Sequence, residues 1–216
     1  MVRLKPGCFI SFEGGEGSGK STQARLLADW LDEQGVPVVL TREPGGTPGA
    51  EAIRHLVLAP PAEGWIAQAE ALLFAAARAD HVERVIRPAL RNGRWVLCDR
   101  FIDSSLAYQG VASGVGLEAV RQLHAIGSGG LLPDRTFLLE VSAPEAAERV
   151  QRRDQHRTDA IEDRSRAYHQ RVVSGFEDLA RAEPDRFTRV DASRTIMEVQ
   201  EQIRLAVAPL LAQATA

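Results

Sequence analysis

Lysine is nearly missing from this chain. It occurs only at Lys5 and Lys20, so that of 26 basic residues 24 are arginine. Cysteine is equally scarce. Cys8 and Cys98 each sit inside an apolar run, which excludes a disulfide-stapled scaffold and leaves a reduced, cytoplasmic protein with two inert core thiols as the expectation. No apolar run approaches the length that spans a bilayer, and no signal-peptide core precedes the first glycine cluster. Repeats, low-complexity tracts and linkers are absent too. Neither sign of charge dominates: the net charge of −3 disfavours a nucleic-acid coat and leaves room only for a local basic patch.

What is present is ordinary for a globular protein. With 216 residues, 44% apolar and 25% charged, the chain suits one well-cored domain over 1–216.

The most informative stretch is Gly14-Gly15-Glu16-Gly17-Ser18-Gly19-Lys20-Ser21. It follows the apolar run Cys8 to Phe12 and opens a helical pattern running from Thr22 to Gln34. Glycines let the backbone curl so that successive N–H groups face phosphate oxygens, and the helix beginning near Lys20 adds its positive end. The Lys20 ammonium suits the β and γ phosphates, and the Ser21 hydroxyl suits Mg²⁺. In a chain so skewed to arginine, a lysine kept at this position is informative, because a phosphate clamp here takes a compact ammonium. The pattern predicts a nucleoside triphosphate, with Gly14 to Thr22 as its cradle.

Further along, Val36 to Leu40, Arg94 to Cys98, Thr136 to Val141 and Phe187 to Val190 read as strands. Helical spacing covers Ala50 to Leu58, Gln68 to Arg91 with a bend at Pro88, a start near Pro144, and Thr195 to Leu211. Strands alternating with helices demand parallel crossovers. The expectation is a three-layer α/β P-loop NTPase fold: a five-stranded parallel sheet flanked by helices, with a short arginine-rich lid at about 149–160.

Asp99 and Arg100 follow four apolar residues at the carboxyl end of a strand, where open α/β sheets bind ligands. There the carboxylate would hold Mg²⁺ and the guanidinium a phosphate, with a surface ion pair as the plainer alternative. The segment from Arg149 to Arg157 suits a lid that spreads the charge of a transferring phosphoryl group, or else a solvated basic helix face. Phe74 and Arg78, four apart, share a helix face; on periodicity alone they read as a core aromatic with a snorkelling neighbour. In the polar run Asp103 to Gly110, Gln109 could read a nucleobase edge with its donor and acceptor.

Four separated motifs in order resemble the bacterial thymidylate kinase family over nearly the whole chain. They are Phe12 to Thr22, Thr41-Arg42-Glu43-Pro44-Gly45-Gly46-Thr47, Leu73 to Arg78, and Asp99-Arg100-Phe101 through Gln109-Gly110. The resemblance implies phosphorylation of dTMP by ATP with Mg²⁺, and a homodimer with no nucleic-acid or membrane partner. It implies that Phe74 stacks on thymine, that Arg78 and Gln109 bond its edge, and that Tyr108 crowds the sugar 2′ position. Ser105, in the same signature, joins the substrate-binding set. Arg54 and Arg100 would grip the dTMP phosphate, with Glu16 near the sugar 3′-hydroxyl and Glu43 close to acceptor and metal, beside the metal residues Ser21 and Asp99. Arg149 would stack on adenine. A phosphate loop without arginine goes with catalytic arginines on the lid, here Arg152, Arg153 and Arg157.

Two departures stand out. Phe101 replaces a usual tyrosine, and Ala160 replaces a usual arginine, so that Arg157 is its expected substitute. Two rivals are a kinase for another nucleotide or deoxynucleoside, and an NTP-dependent switch. The switch would need an Asn-Lys-x-Asp base reader, which the two lysines do not supply.

Overall fold

Five short apolar runs form five parallel strands: β1 Phe9–Glu13, β2 Val38–Arg42, β3 Trp95–Asp99, β4 Arg135–Glu140 and β5 Phe187–Asp191. Their order, β2-β3-β1-β4-β5, puts β1 in the middle. The structure, a computed structural model, describes residues 7–153, 160–161 and 163–215. Each strand ends on a charged residue: Glu13, Arg42, Asp99, Glu140 and Asp191. Pairing therefore runs past the apolar core of four strands, where sequence pattern alone places the end.

Alternation of side chains across the pleat divides β1 between two cores. Ile10 and Phe12 join Leu97, Phe137 and Leu139 on one face. Helices α1 (Lys20–Glu33) and α9 (Ile196–Thr215) cover that face, α1 with Ala24, Leu27 and Leu31, α9 with Val199, Ile203 and Val207. Those spacings of three and four keep each apolar stripe on one side of its helix. Phe9 faces the other way, with Val96, Cys98 and Leu138. Cys98 is buried and Cys8 only partly so; both thiols are free.

Among the described residues seven further helices and two π-turns complete the order. Helix α2 is Pro48–Leu58 and α3 Ala67–His81; a π-turn at Val82–Ile86 leads into α4, Arg87–Arg91. The expected helix from Gln68 to Arg91 is thus one rod with a π-turn in it. Pro88 has no N–H, and the Arg87 amide bonds back to the Val82 carbonyl, so the turn widens just before the proline. After β3 come α5 (Ile102–Ser105), a second π-turn (Leu106–Ala112) and α6 (Leu117–Ser128). Helix α7 is Ala143–Arg153 and α8 Arg166–Ala182. Among these, α6 and α8 have no counterpart in the sequence reading. The expected lid arginines lie at the edge of what is described: Arg152 and Arg153 close α7, their side chains outside the described set, and Arg157 lies outside it altogether.

A polar layer crosses the second core. Ser11 Oγ lies 2.9 Å from Thr136 Oγ1. Asp103, fully buried, accepts two hydrogen bonds from Arg186, at 2.6 and 2.8 Å, and one from Thr136 at 3.3 Å. Removing one partner of such a pair leaves an uncompensated charge in the core. Arg186→Met is expected to lose about 3–5 kcal/mol of stability, read as a lower urea midpoint at unchanged slope. Arg181→Met, which breaks the exposed pair with Asp178, should leave the midpoint in place.

Candidate functional site

Phe12 of β1 pairs in register with Asp99 of β3, so the loops leaving these strands open into one cleft of about 860 Å³. The first is the glycine loop. Gly14 has φ 135° and Gly17 φ 70°. A Cβ would stand 2.4 Å from the Leu139 carbonyl oxygen at Gly14, and 2.5 Å from that of Ala146 at Gly17. No other residue fits at either position without moving β4 or α7.

Lys20 opens α1 and is 6% exposed. Its ammonium donates to the Gly15 carbonyl at 2.7 Å, to that of Gly14 at 3.2 Å and to the Ser18 hydroxyl at 3.3 Å. Burial, with Arg100 nearby adding to it, pulls its pKa down to about 8. Next to it the Ser21 hydroxyl donates to Asp99 in a very short contact. This hydroxyl and carboxylate are hard oxygen donors at the phosphate end. Mg²⁺ keeps several waters and takes one or two protein oxygens together with phosphate, so the pair suits that ion. Among the described residues no group of three His, Cys, Asp or Glu could hold a metal alone.

Arg100 leaves β3 with φ 70°, uncommon for a residue with a Cβ. Its guanidinium donates to the Gly14 carbonyl at 3.1 Å, the Ser104 hydroxyl at 3.0 Å and the Tyr108 hydroxyl at 3.3 Å, and pairs closely with Glu16. Burial alone would lower its pKa, but Glu16, Tyr108 and Asp99 outweigh it and the net shift is upward. Behind it Glu13, fully buried, accepts from the Phe101 amide at 2.7 Å and the Ser104 hydroxyl at 2.6 Å. Burial, then the nearby Asp103 charge, raise the Glu13 pKa well above the ordinary carboxylate range.

At the other end of the cleft Arg78 does not snorkel. It is 3% exposed and donates to Glu43 at 2.7 Å, to Ser105 at 2.8 Å and to the Phe101 carbonyl at 3.2 Å. His81 Nδ1 lies 3.0 Å from the second Glu43 oxygen. Each Glu43 oxygen thus has a partner, one in Arg78 and one in His81, and Glu43 itself lines the cleft. Phe74 is partly buried and lines the cleft with Arg54, Tyr108, Gln109 and Arg149. Arg54 also donates to the Pro44 carbonyl at 2.8 Å. Tyr108 and Gln109 occupy the second π-turn; burial raises the Tyr108 pKa.

The cleft thus gathers the expected residues from Glu16 to Thr22 and from Glu43 to Gln109, with Gly14 and Gly15 forming the loop's base. Behind the lining, buried His81 extends the stripe Phe74, Arg78 at the next helical step, and the sequence reading passed over it. Ala192, Arg194 and Ile196 line the cleft after β5, where the rule of carboxyl ends would have found them.

The sequence profile of the thymidylate kinase family matches residues 12–203. The chain is 55% identical over 206 residues to the thymidylate kinase of Rhizorhabdus wittichii, covering 95% of this chain and 99% of the relative. It is 57% identical over 203 residues to that of Symbiobacterium thermophilum, covering 94% of each. A crystal structure of thymidylate kinase from Ehrlichia chaffeensis superposes with a TM-score of 0.74 at 36% identity, over 94% of this chain and 99% of that one.

The buried ammonium sets a pH-dependent penalty. Folded, Lys20 releases its proton near 8, against 10.5 when exposed. Between those values the unfolded chain holds more protons, so stability rises with pH there, and the penalty is complete below 8. Lys20→Met should be more stable than the parent at neutral pH by on the order of 1–3 kcal/mol, with the gap narrowing by about pH 10. Urea unfolding at the two pH values checks it.

Proposed function

The chain belongs to the thymidylate kinase family, and on that premise we propose how its cleft passes the γ-phosphoryl group of ATP to a phosphate oxygen of dTMP. The products are dTDP and ADP, a step toward dTTP. The observation that carries this reading is the single cleft joining a phosphate loop at Lys20 to an aromatic and amide pocket at Phe74, Arg78 and Gln109.

ATP lies with its phosphates along Gly14 to Thr22 and its adenine against Arg149. Ser21 and Asp99 hold Mg²⁺, which when bound neutralises charge on the β and γ phosphates. The dTMP base stacks on Phe74, with Arg78 and Gln109 on its edge, Ser105 steadying Arg78, and Tyr108 against the sugar. Arg54 and Arg100 take its phosphate. An acceptor phosphate is already ionised at neutral pH, so no dedicated base is needed. Catalysis is positioning and charge neutralisation by Lys20, Arg100 and the lid arginines, with Arg153 and Arg157 assigned from sequence. Glu16, paired with Arg100, steers that guanidinium until substrate arrives. Glu43 serves by fixing Arg78.

The proposal further includes one domain over 1–216, a homodimer packed through the rod from Ala67 to Arg91, and a cytoplasmic setting. Among the described residues no helix is long and apolar enough to cross a membrane.

A coupled ADP-release assay with ATP and Mg²⁺ against dTMP, dUMP, UMP, CMP, AMP and GMP tests the reading. Strong preference for dTMP is expected; preference for another acceptor would move the chain to a different nucleotide kinase. Lys20→Ala and Arg100→Ala should fold yet lose about 10²–10³ in kcat, or about 2.7–4 kcal/mol, by analogy with a lost oxyanion donor.

A further inference from the structure

Glu70 lies one turn before Phe74 on α3 and is 3% exposed. Its Oε1 accepts a hydrogen bond from Gln109 Nε2 at 3.0 Å, and its Oε2 is ion-paired with Arg164. Arg164 is itself anchored: it donates to the Tyr168 hydroxyl at 2.6 Å and sits over that ring, 4.6 Å from the centroid. Tyr168 in turn donates to the Tyr108 carbonyl at 3.3 Å. A carboxylate paired with a guanidinium has lone pairs and no proton to give, so only the NH₂ side of the Gln109 amide can face it. The carbonyl oxygen is then what Gln109 offers to the cleft it lines.

We infer that Glu70 is a positioning residue that fixes the Gln109 amide as a hydrogen-bond acceptor, so that the pocket selects a pyrimidine carrying N–H at position 3. This rests on the dTMP reading above. Thymine and uracil carry that proton. Cytosine has a lone pair in its place and would set it against the Gln109 oxygen. Arg78 can only donate, so the Gln109 amide is the group whose polarity is open to choice, and Glu70 removes the choice. The anchor, Arg164, lies just beyond the 149–160 segment, so the chain returning from the expected lid also holds the base-reading amide.

The test compares kcat/KM for dTMP and dCMP in the parent, Glu70→Gln, Gln109→Leu and the double variant. A glutamine at 70 can donate or accept and lets the amide turn. The dTMP to dCMP ratio is expected to fall by on the order of ten-fold or more, since a buried polar group held for one partner rejects the other strongly. For dTMP the loss should appear in KM rather than kcat. With Gln109→Leu in place, Glu70→Gln should change the ratio no further. An unchanged ratio in Glu70→Gln, or an equal fall in both backgrounds, overturns the inference. A parent enzyme that does not favour dTMP over dCMP overturns the reading of the pocket itself. If Glu70→Gln does not fold, Arg164→Met reads the relay from its outer end. Without its guanidinium partner the Glu70 carboxylate is no longer held in place against the amide, so the amide is freed and the ratio falls. A ratio unmoved by Arg164→Met also overturns it.

Discussion

Arg100 leaves β3 in a left-handed turn, and its guanidinium spans the gap between the phosphate loop and the run of α5 and the second π-turn. Gly14 and Glu16 lie on one side of it, Ser104 and Tyr108 on the other. The turn persists because the following amide is tied to Glu13, and Glu13 stands directly before the glycine loop. Backbone strain of this kind, of order 1–3 kcal/mol, survives only where surrounding bonds over-determine it. The two ends of the cleft thus share one rigid joint, as the proposed transfer between two bound phosphates requires.

The same economy of partners runs through the site. Lys20 rests on its own loop's carbonyls, Arg78 on Glu43, and Arg100 on Glu16. Buried charges without partners are costly, so a cleft made to hold anions must carry stand-ins of its own. In the proposed reading, phosphate binding at Lys20 and Arg100 is then an exchange of internal acceptors for phosphate oxygens, and its net strength is a difference between two large terms. An enzyme that must release ADP as readily as it captures ATP is served by that difference being modest.

Much of this was legible before any coordinates. The glycine loop, the five apolar strands and the shared helix face of Phe74 and Arg78 follow from local pattern, because backbone needs and apolar periodicity act over a few residues; the burial of Arg78 against Glu43 does not. Helix α8 carried a readable stripe at Tyr168, Val172, Phe176 and Leu179, buried in the second core. It was passed over because charged residues crowd between them. Helix α6 was harder, since its buried positions Val120, His124 and Ser128 are mostly polar. The partners of Glu43 could not be read at all. Its neighbours Arg78 and His81 lie 35 and 38 residues away, and only the fold shows that they consume both oxygens. Glu70 was hidden for the same reason.

The central place of β1 has a consequence for how the chain is made. Its neighbours in the sheet are β3 and β4, and the Phe9 amide finds its cap on Asp134, 125 residues onward. At synthesis rates of 5–20 residues per second, β1 waits about 6–25 s for that partner. Until then Ile10 and Phe12 have a sheet on one side at most, once β3 has been made, and the glycine loop has no β4 to pack against. The nucleotide site therefore matures late on the ribosome, after an interval in which its most apolar strand is open to chaperones and to aggregation.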